Sequence, residues 1–188
     1  MARWEPDAES RFRAAAIELF AEVGYEQTTV AAIAERAGLT ARTFFRHFAD
    51  KREVLFNGSE NLQRLMVDAL AQAPAAAPAL EAVAAALVKA GDFFDRDRRH
   101  YARQRHAVIE ANAELREREL IKLATLSAAL ARALRQRGIA EPEASLAAET
   151  GIAVFRIAFA QWVGKSERRG YVEIVNDSLA RLRALTAD

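Results

Sequence analysis

Residues 28–51 gather side chains that donate hydrogen bonds outward: the hydroxyls of Thr28, Thr29 and Thr43, the guanidinium groups of Arg42 and Arg46, the imidazole of His47 and the ammonium of Lys51, with the ring of Phe45 among them. An arginine's planar fork fits two acceptors at once, whether phosphate oxygens or the major-groove edge of guanine, and hydroxyls and an ammonium suit a polyanionic backbone. Catalysis has no comparable set. The three histidines are His47, His100 and His106, and the last two stand about 240° apart on a helix at ~100° per residue, so they do not share a face as a metal pair would. Asp97-x-x-His100 echoes the carboxylate-x-x-His spacing of di-iron bundles, but such sites need the motif twice and no second copy exists. GxGxxG, the P-loop and the GxSxG elbow are all missing from the sequence. No catalytic residue, metal or cofactor is expected.

Two short helices are needed to hold those donors in place, and the stretch TTVAAIAERAGLTARTFFRHFADK specifies them. Thr29 suits an N-cap, and Val30, Ile33, Ala34 and Ala37 recur at helical spacing, predicting a helix over 29–37. Gly38 tolerates the left-handed conformation beyond a helix end, Leu39 turns toward the core, and Thr40 offers the next N-cap. In the second helix Leu39, Phe44 and Phe48 face inward, leaving Arg42, Thr43, Phe45, Arg46 and His47 on the other surface. Helices joined so closely cross steeply, so that one can lie in a major groove while the other braces it: a helix-turn-helix.

From Phe12 to Leu55, the chain resembles the N-terminal DNA-binding domain of the TetR/AcrR family of transcriptional regulators. The resemblance is carried by Leu19, Phe20, Gly24, Tyr25, Thr28, Thr29, Ile33, Ala34, Ala37, Gly38, Thr43, Phe44, Phe45, His47, Phe48 and Lys51. Phe45 stands where that family often has tyrosine, removing a hydroxyl that could bond a phosphate, and Ala31 and Ala41 have little hydrogen-bonding reach. The resemblance implies an all-α fold with a three-helix head at 1–55 and a helical effector-binding and dimerisation bundle at 56–188. It also implies a homodimeric repressor released from a double-stranded DNA operator by a small-molecule effector. Groove and backbone contacts would come from Thr28, Thr29, Arg42, Thr43, Phe45, Arg46, His47 and Lys51.

Bulk charge is silent on this point: the chain is formally +1, and residues 1–55 hold eight basic and nine acidic residues. Distribution is more telling, because Arg36, Arg42, Arg46, Lys51 and Arg52 lie together while Glu5, Asp7, Glu9, Glu18, Glu22 and Glu26 lie in or around the first helix. A 188-residue chain that is 52% hydrophobic can bury a real core. It has no cysteine, which excludes a disulfide framework and thiolate zinc sites and fits a cytoplasmic location. Its first residues lack an apolar leader, and no apolar run approaches the ~20 residues of a membrane span, so no membrane partner is expected.

Beyond the head the periodicity stays helical. Asp50 is placed to cap a helix from Lys51 to Gln72 with a soft point at Gly58-Ser59, and the Pro/Ala stretch 73–80 breaks it. Further helices are predicted from Pro78 to about Phe94, Asp97 to about Asn112, about Glu114 to Arg137, Pro142 to Val163, and Tyr171 to Thr186. Phe94, Tyr101, Phe155, Phe159 and Trp162, with Arg103, Gln104 and His106 as polar anchors, are candidates to line an effector pocket. Val172, Val175, Leu179 and Leu182 form a narrow seam at three- and four-residue intervals. From residues alone that seam fits the monomer's own core or a helix–helix interface, and the family resemblance favours a two-fold four-helix contact. The alternative of another class is a helical interaction or ligand-sequestering module that does not read DNA; a metal-dependent bundle enzyme is a third.

Overall fold

The structure is a computed structural model that describes residues 7–94 and 98–186, with only the backbone for residue 186. Among the described residues it is helical throughout: α1 (Ala8–Val23), α2 (Val30–Arg36), α3 (Ala41–His47), α4 (Glu53–Phe56), α5 (Ser59–Gln72), α6 (Ala79–Lys89), a 3-10 turn (Ala90–Asp92), α7 (Arg99–Glu110), α8 (Ala113–Gln136), α9 (Glu143–Trp162) and α10 (Tyr171–Thr186). The predicted ends of the later helices hold to within a few residues. The expected helix start at Asp97 and the Asp97-x-x-His100 spacing fall partly outside the described residues. Among the described residues no helix is long and apolar enough to cross a membrane.

The expected long helix from Lys51 to Gln72 is two helices. Asp50 Oδ1 does accept from the backbone N–H groups of Arg52 and Glu53, at 2.8 and 3.1 Å, and starts α4. That helix lasts one turn, because Gly58 adopts φ 93°, and α5 then begins afresh. A left-handed glycine cannot sit inside an α-helix, so what the sequence suggested as a soft point is a full break.

The chain divides into two compact units: Met1–Asn57 with Gln104–Glu119, and Gly58–Arg103 with Leu120–Asp188. In the first, Phe12 of α1 is fully buried and meets Phe44 and Phe48 of the α3 region edge-on, with centroids at 5.2 and 6.0 Å. Ile33 of α2 is also fully buried, while Leu39 is half-buried. The segment 104–119 is held to the rest of this unit by ion pairs from Arg118 to Glu53 and from Arg52 to Glu114. Arg105 adds a hydrogen bond from Nε to the Leu55 carbonyl at 2.6 Å.

The second unit is organised around α6, whose Ala82, Val83, Ala86 and Leu87 are fully buried against α5, α9 and α10. Gly151 lets α9 approach α6, since a Cβ there would collide with Val83. Leu126, Leu130 and Leu134 of α8 complete the same core.

Candidate nucleic-acid interface

The turn between α2 and α3 follows from its local chemistry. Thr29 Oγ1 accepts from the Ala32 N–H at 3.1 Å and Thr40 Oγ1 from the Thr43 N–H at 3.1 Å, so each helix has its side-chain N-cap. Gly38 takes φ 64° between them, and its neighbourhood is closed by Arg11 of α1, which donates to the Ala37 carbonyl at 2.6 Å and the Gly38 carbonyl at 3.3 Å. Sequence spacing gave no sign of this clamp, which joins residues 26 and 27 positions apart. Thr29→Ala should cost about 1 kcal/mol of head stability; a thermal melt of full-length protein would measure it, and an unchanged melting temperature would contradict the cap's importance.

Buried Phe44 and Phe48 fix which face of α3 turns outward. Arg42, Phe45 and Arg46, at the i, i+3 and i+4 positions of one face, are exposed and with Thr43 line an open depression. Phe45 is 59% exposed. Among the described residues no hydrogen bond or ion pair holds Arg42, and Arg46 reaches only His47 Nε2, at 3.5 Å. The half-buried Thr43 hydroxyl lies 2.9 Å from that of Thr40.

Three expected contacts sit differently. Thr28 is only 2% exposed, and its hydroxyl donates to the Gly24 carbonyl at 2.8 Å, so it closes the loop after α1 instead of facing outward. His47 is half-buried beside Phe12 and Phe48, with Nδ1 3.3 Å from Glu9 Oε1. Glu9 also accepts from Asn57 Nδ2, at 3.1 Å, so His47 ties the end of α3 to α1. Lys51 does not begin a helix: its ammonium turns inward, donating to the carbonyls of Tyr25 and Thr28 at 2.7 and 3.0 Å and lying 4.1 Å from the Tyr25 ring centroid.

The cause is that carbonyls past the end of α1 have no intrahelical donor, and a cation is the strongest one within reach. Lys51→Ala should therefore cost about 2 kcal/mol of stability and leave sequence preference unchanged. A melt at the wild-type temperature together with a reduced salt dependence of DNA binding would return Lys51 to the phosphate backbone.

The remaining charges around the turn are engaged within the same unit. Arg36 pairs with Glu18 and Glu22 at 3.3 and 2.8 Å, and Arg52 with Asp50 and Glu114 at 2.7 and 2.9 Å. Burial opposes ionisation of Asp50, but hydrogen bonds from the Arg52 side chain and the Glu53 and Arg52 backbone prevail and hold its carboxyl below the usual range. Burial, aided by the Glu114 charge, pushes the Tyr25 hydroxyl up to about 12. The donors that point outward are thus concentrated on α3.

The candidate pocket residues are drawn from both units. Phe94, Phe155, Phe159 and Trp162 cluster in the second unit with Tyr171, which the sequence reading did not include; Phe94 lies 4.9 to 5.9 Å from the other four rings. Tyr101 is half-buried. Arg103 closes the end of α9, donating to the carbonyls of Val163 and Gly164 at 2.8 and 3.1 Å. Gln104 and His106 belong to the first unit, where ligand atoms of His106, Glu110 and Glu119 lie within 4.8 Å of one another and Glu119 pairs with Arg105 at 3.2 Å. Tyr171 is buried, its hydroxyl has no hydrogen-bond partner among the described residues, and burial pushes its ionisation far above the ordinary phenol value.

The seam assigned to a subunit contact is largely interior to one chain. Val175 is 0% and Leu179 3% exposed, with Val172 and Leu182 half-buried against the same core, because α10 directs this face at α6 and α9. The outward face of α9 carries Leu146 and Ile157, each 63% exposed, with exposed Ala153 and Ala160 on the same side.

The family model for bacterial regulatory proteins of the tetR family matches residues 12–57, which contain the capped turn and the α3 stripe. The HTH-type transcriptional regulator TcmR of Streptomyces glaucescens is 44% identical over 71 residues, covering 38% of this chain and 31% of its own length. Among solved structures, a putative transcriptional regulator from Pseudomonas aeruginosa PAO1 has a TM-score of 0.65 at 18% identity, covering 98% of this chain and 93% of that one. The regulator FadR of Bacillus subtilis in complex with stearoyl-CoA scores 0.57 at 23% identity, covering 92% and 96%. The two structural likenesses establish the shared fold, and the likeness to the tetR family of bacterial regulatory proteins lies in the head, over residues 12–57.

Proposed function

We propose that the protein is a homodimeric repressor: two heads bind one double-stranded DNA operator in the cytoplasm, and a small-molecule effector bound in the body releases them. The observation that carries this reading is the α3 stripe, where Arg42, Phe45 and Arg46 face outward while Lys51, Arg36 and Arg52 are engaged in the head's own packing. Arg42 and Arg46 would read base edges in the major groove, and the hydroxyls of Thr29 and Thr43 would meet phosphates.

One such helix covers only a few base pairs, so useful affinity needs two heads at roughly 34–36 Å or a multiple. The support for self-association is the outward face of α9, with Leu146, Ala153, Ile157 and Ala160. Repeated apolar groups on one helix face, in a chain of formal charge +1, favour a second copy of the same surface.

The effector reading is supported by the aromatic cluster of Phe94, Phe155, Phe159, Trp162 and Tyr171 and by the Tyr171 hydroxyl, which has no partner among the described residues; together they suit a ligand with an apolar part and one hydrogen-bonding group. That a related fold, FadR of Bacillus subtilis, was solved with stearoyl-CoA is in keeping with this. An effector that prefers the body conformation in which the heads are splayed must, by linkage, weaken operator binding by the same factor. The test is selection of fragments from the source genome with purified protein. The expected result is a shared inverted repeat bound with strong salt dependence; fragments with no common motif would contradict the reading.

A further inference from the structure

We propose that Phe45 reads a thymine methyl group, so that a thymine in each half-site, next to the base pairs met by Arg42 and Arg46, is part of what the protein recognises. The proposal rests on the reading of α3 as the recognition helix. A single exposed apolar side chain is ordinary on a protein surface. This one is a whole phenyl ring, 59% exposed, on the same outward face of α3 as Arg42 and Arg46, and it lines the same depression as they do.

Its position is also held from behind. Phe44, fully buried, meets the Phe45 ring edge-on with centroids 5.6 Å apart and planes at 85°. The ring is therefore presented by the core and not left to wander over the surface.

Chemistry narrows the occupant. A phenyl ring has no donor or acceptor, so it satisfies neither a phosphate oxygen nor a polar base edge, and covering either would strip water without replacement. Among base edges in the major groove the apolar feature is the C5-methyl of thymine. The flanking guanidinium groups supply the attraction that brings the ring into the groove, and their reach to guanine acceptors sets its register against neighbouring base pairs. In this chain the ring carries no hydroxyl, so its role moves from the backbone to the bases.

The experiment uses duplexes enriched from a random pool by the full-length protein, each then synthesised with thymine or with deoxyuridine, which lacks only the methyl group. Removing one buried methyl should weaken wild-type binding about fourfold, and removing the one in each half-site about fifteenfold. Phe45→Ala, with helicity confirmed by circular dichroism, should bind the thymine and uracil duplexes equally. Equal wild-type affinity for the two would overturn the proposal. So would Phe45→Ala retaining the thymine preference, or Phe45→Tyr tightening binding to every sequence alike with no thymine preference in the wild type, which would put the ring against the backbone. If no duplex is enriched at all, the DNA-reading assignment falls and this proposal with it; enrichment without a methyl effect sinks the methyl contact alone.

Discussion

Arg42→Ala will lower the ratio of operator to non-specific affinity by about tenfold or more per subunit, and Arg46→Ala will do so to a similar or smaller degree. Each bidentate contact to guanine is worth roughly 1–3 kcal/mol of discrimination, and 1.4 kcal/mol is a factor of ten. Arg42 carries the larger expectation because it is exposed with no partner among the described residues, whereas Arg46 also reaches the His47 ring at 3.5 Å. Neither side chain belongs to the buried set that holds the helix, so the melting temperature should hardly move. Fluorescence titration against operator and scrambled duplexes separates the outcomes. A uniform loss on both would make the arginines phosphate contacts, and no loss from either would remove α3 as the reading element.

Ile157→Asp will give a folded monomer whose operator affinity falls by about 100-fold or more. On the outward face of α9 the carboxylate is solvated in a lone chain, so folding is not the target. At a two-fold contact the substitution is made twice, and each charge must leave water without a partner at a cost of several kcal/mol. Leu179→Asp is the informative contrast, because Leu179 lies in the interior of one chain and its replacement should cost the fold itself. Sedimentation and circular dichroism on both variants distinguish the surfaces. A folded Ile157→Asp dimer would place the subunit contact elsewhere, and a folded Leu179→Asp monomer would mean that α10 does face a partner.

The helix-turn-helix was legible because its signals are local: a threonine before each helix, a glycine between them, aromatic residues at core spacing after them. Lys51 was not, since whether a cation meets a phosphate or a carbonyl depends on the Tyr25 to Thr28 loop, more than twenty positions away. The seam in α10 was read correctly as one buried face, but three- and four-residue spacing does not say what buries it; α6 and α9 of the same chain do. In α9, apolar residues occur on every side, so Leu146 and Ile157 could not be told from Ile152 and Phe155 until burial separated them. The attachment of 104–119 to the first unit rests on arginine and glutamate pairs scattered over some sixty positions, a pattern with no period to detect.

The central claim, that paired heads read DNA through α3, is tested most directly by titrating the selected operator with wild-type protein over a salt series while counting chains per duplex. The account predicts two chains per operator, an affinity at least a thousandfold above that for random duplex, and a steep linear fall of log K with log salt. Binding by a single chain at full affinity, or equal and salt-insensitive affinity for operator and random sequence, would contradict it.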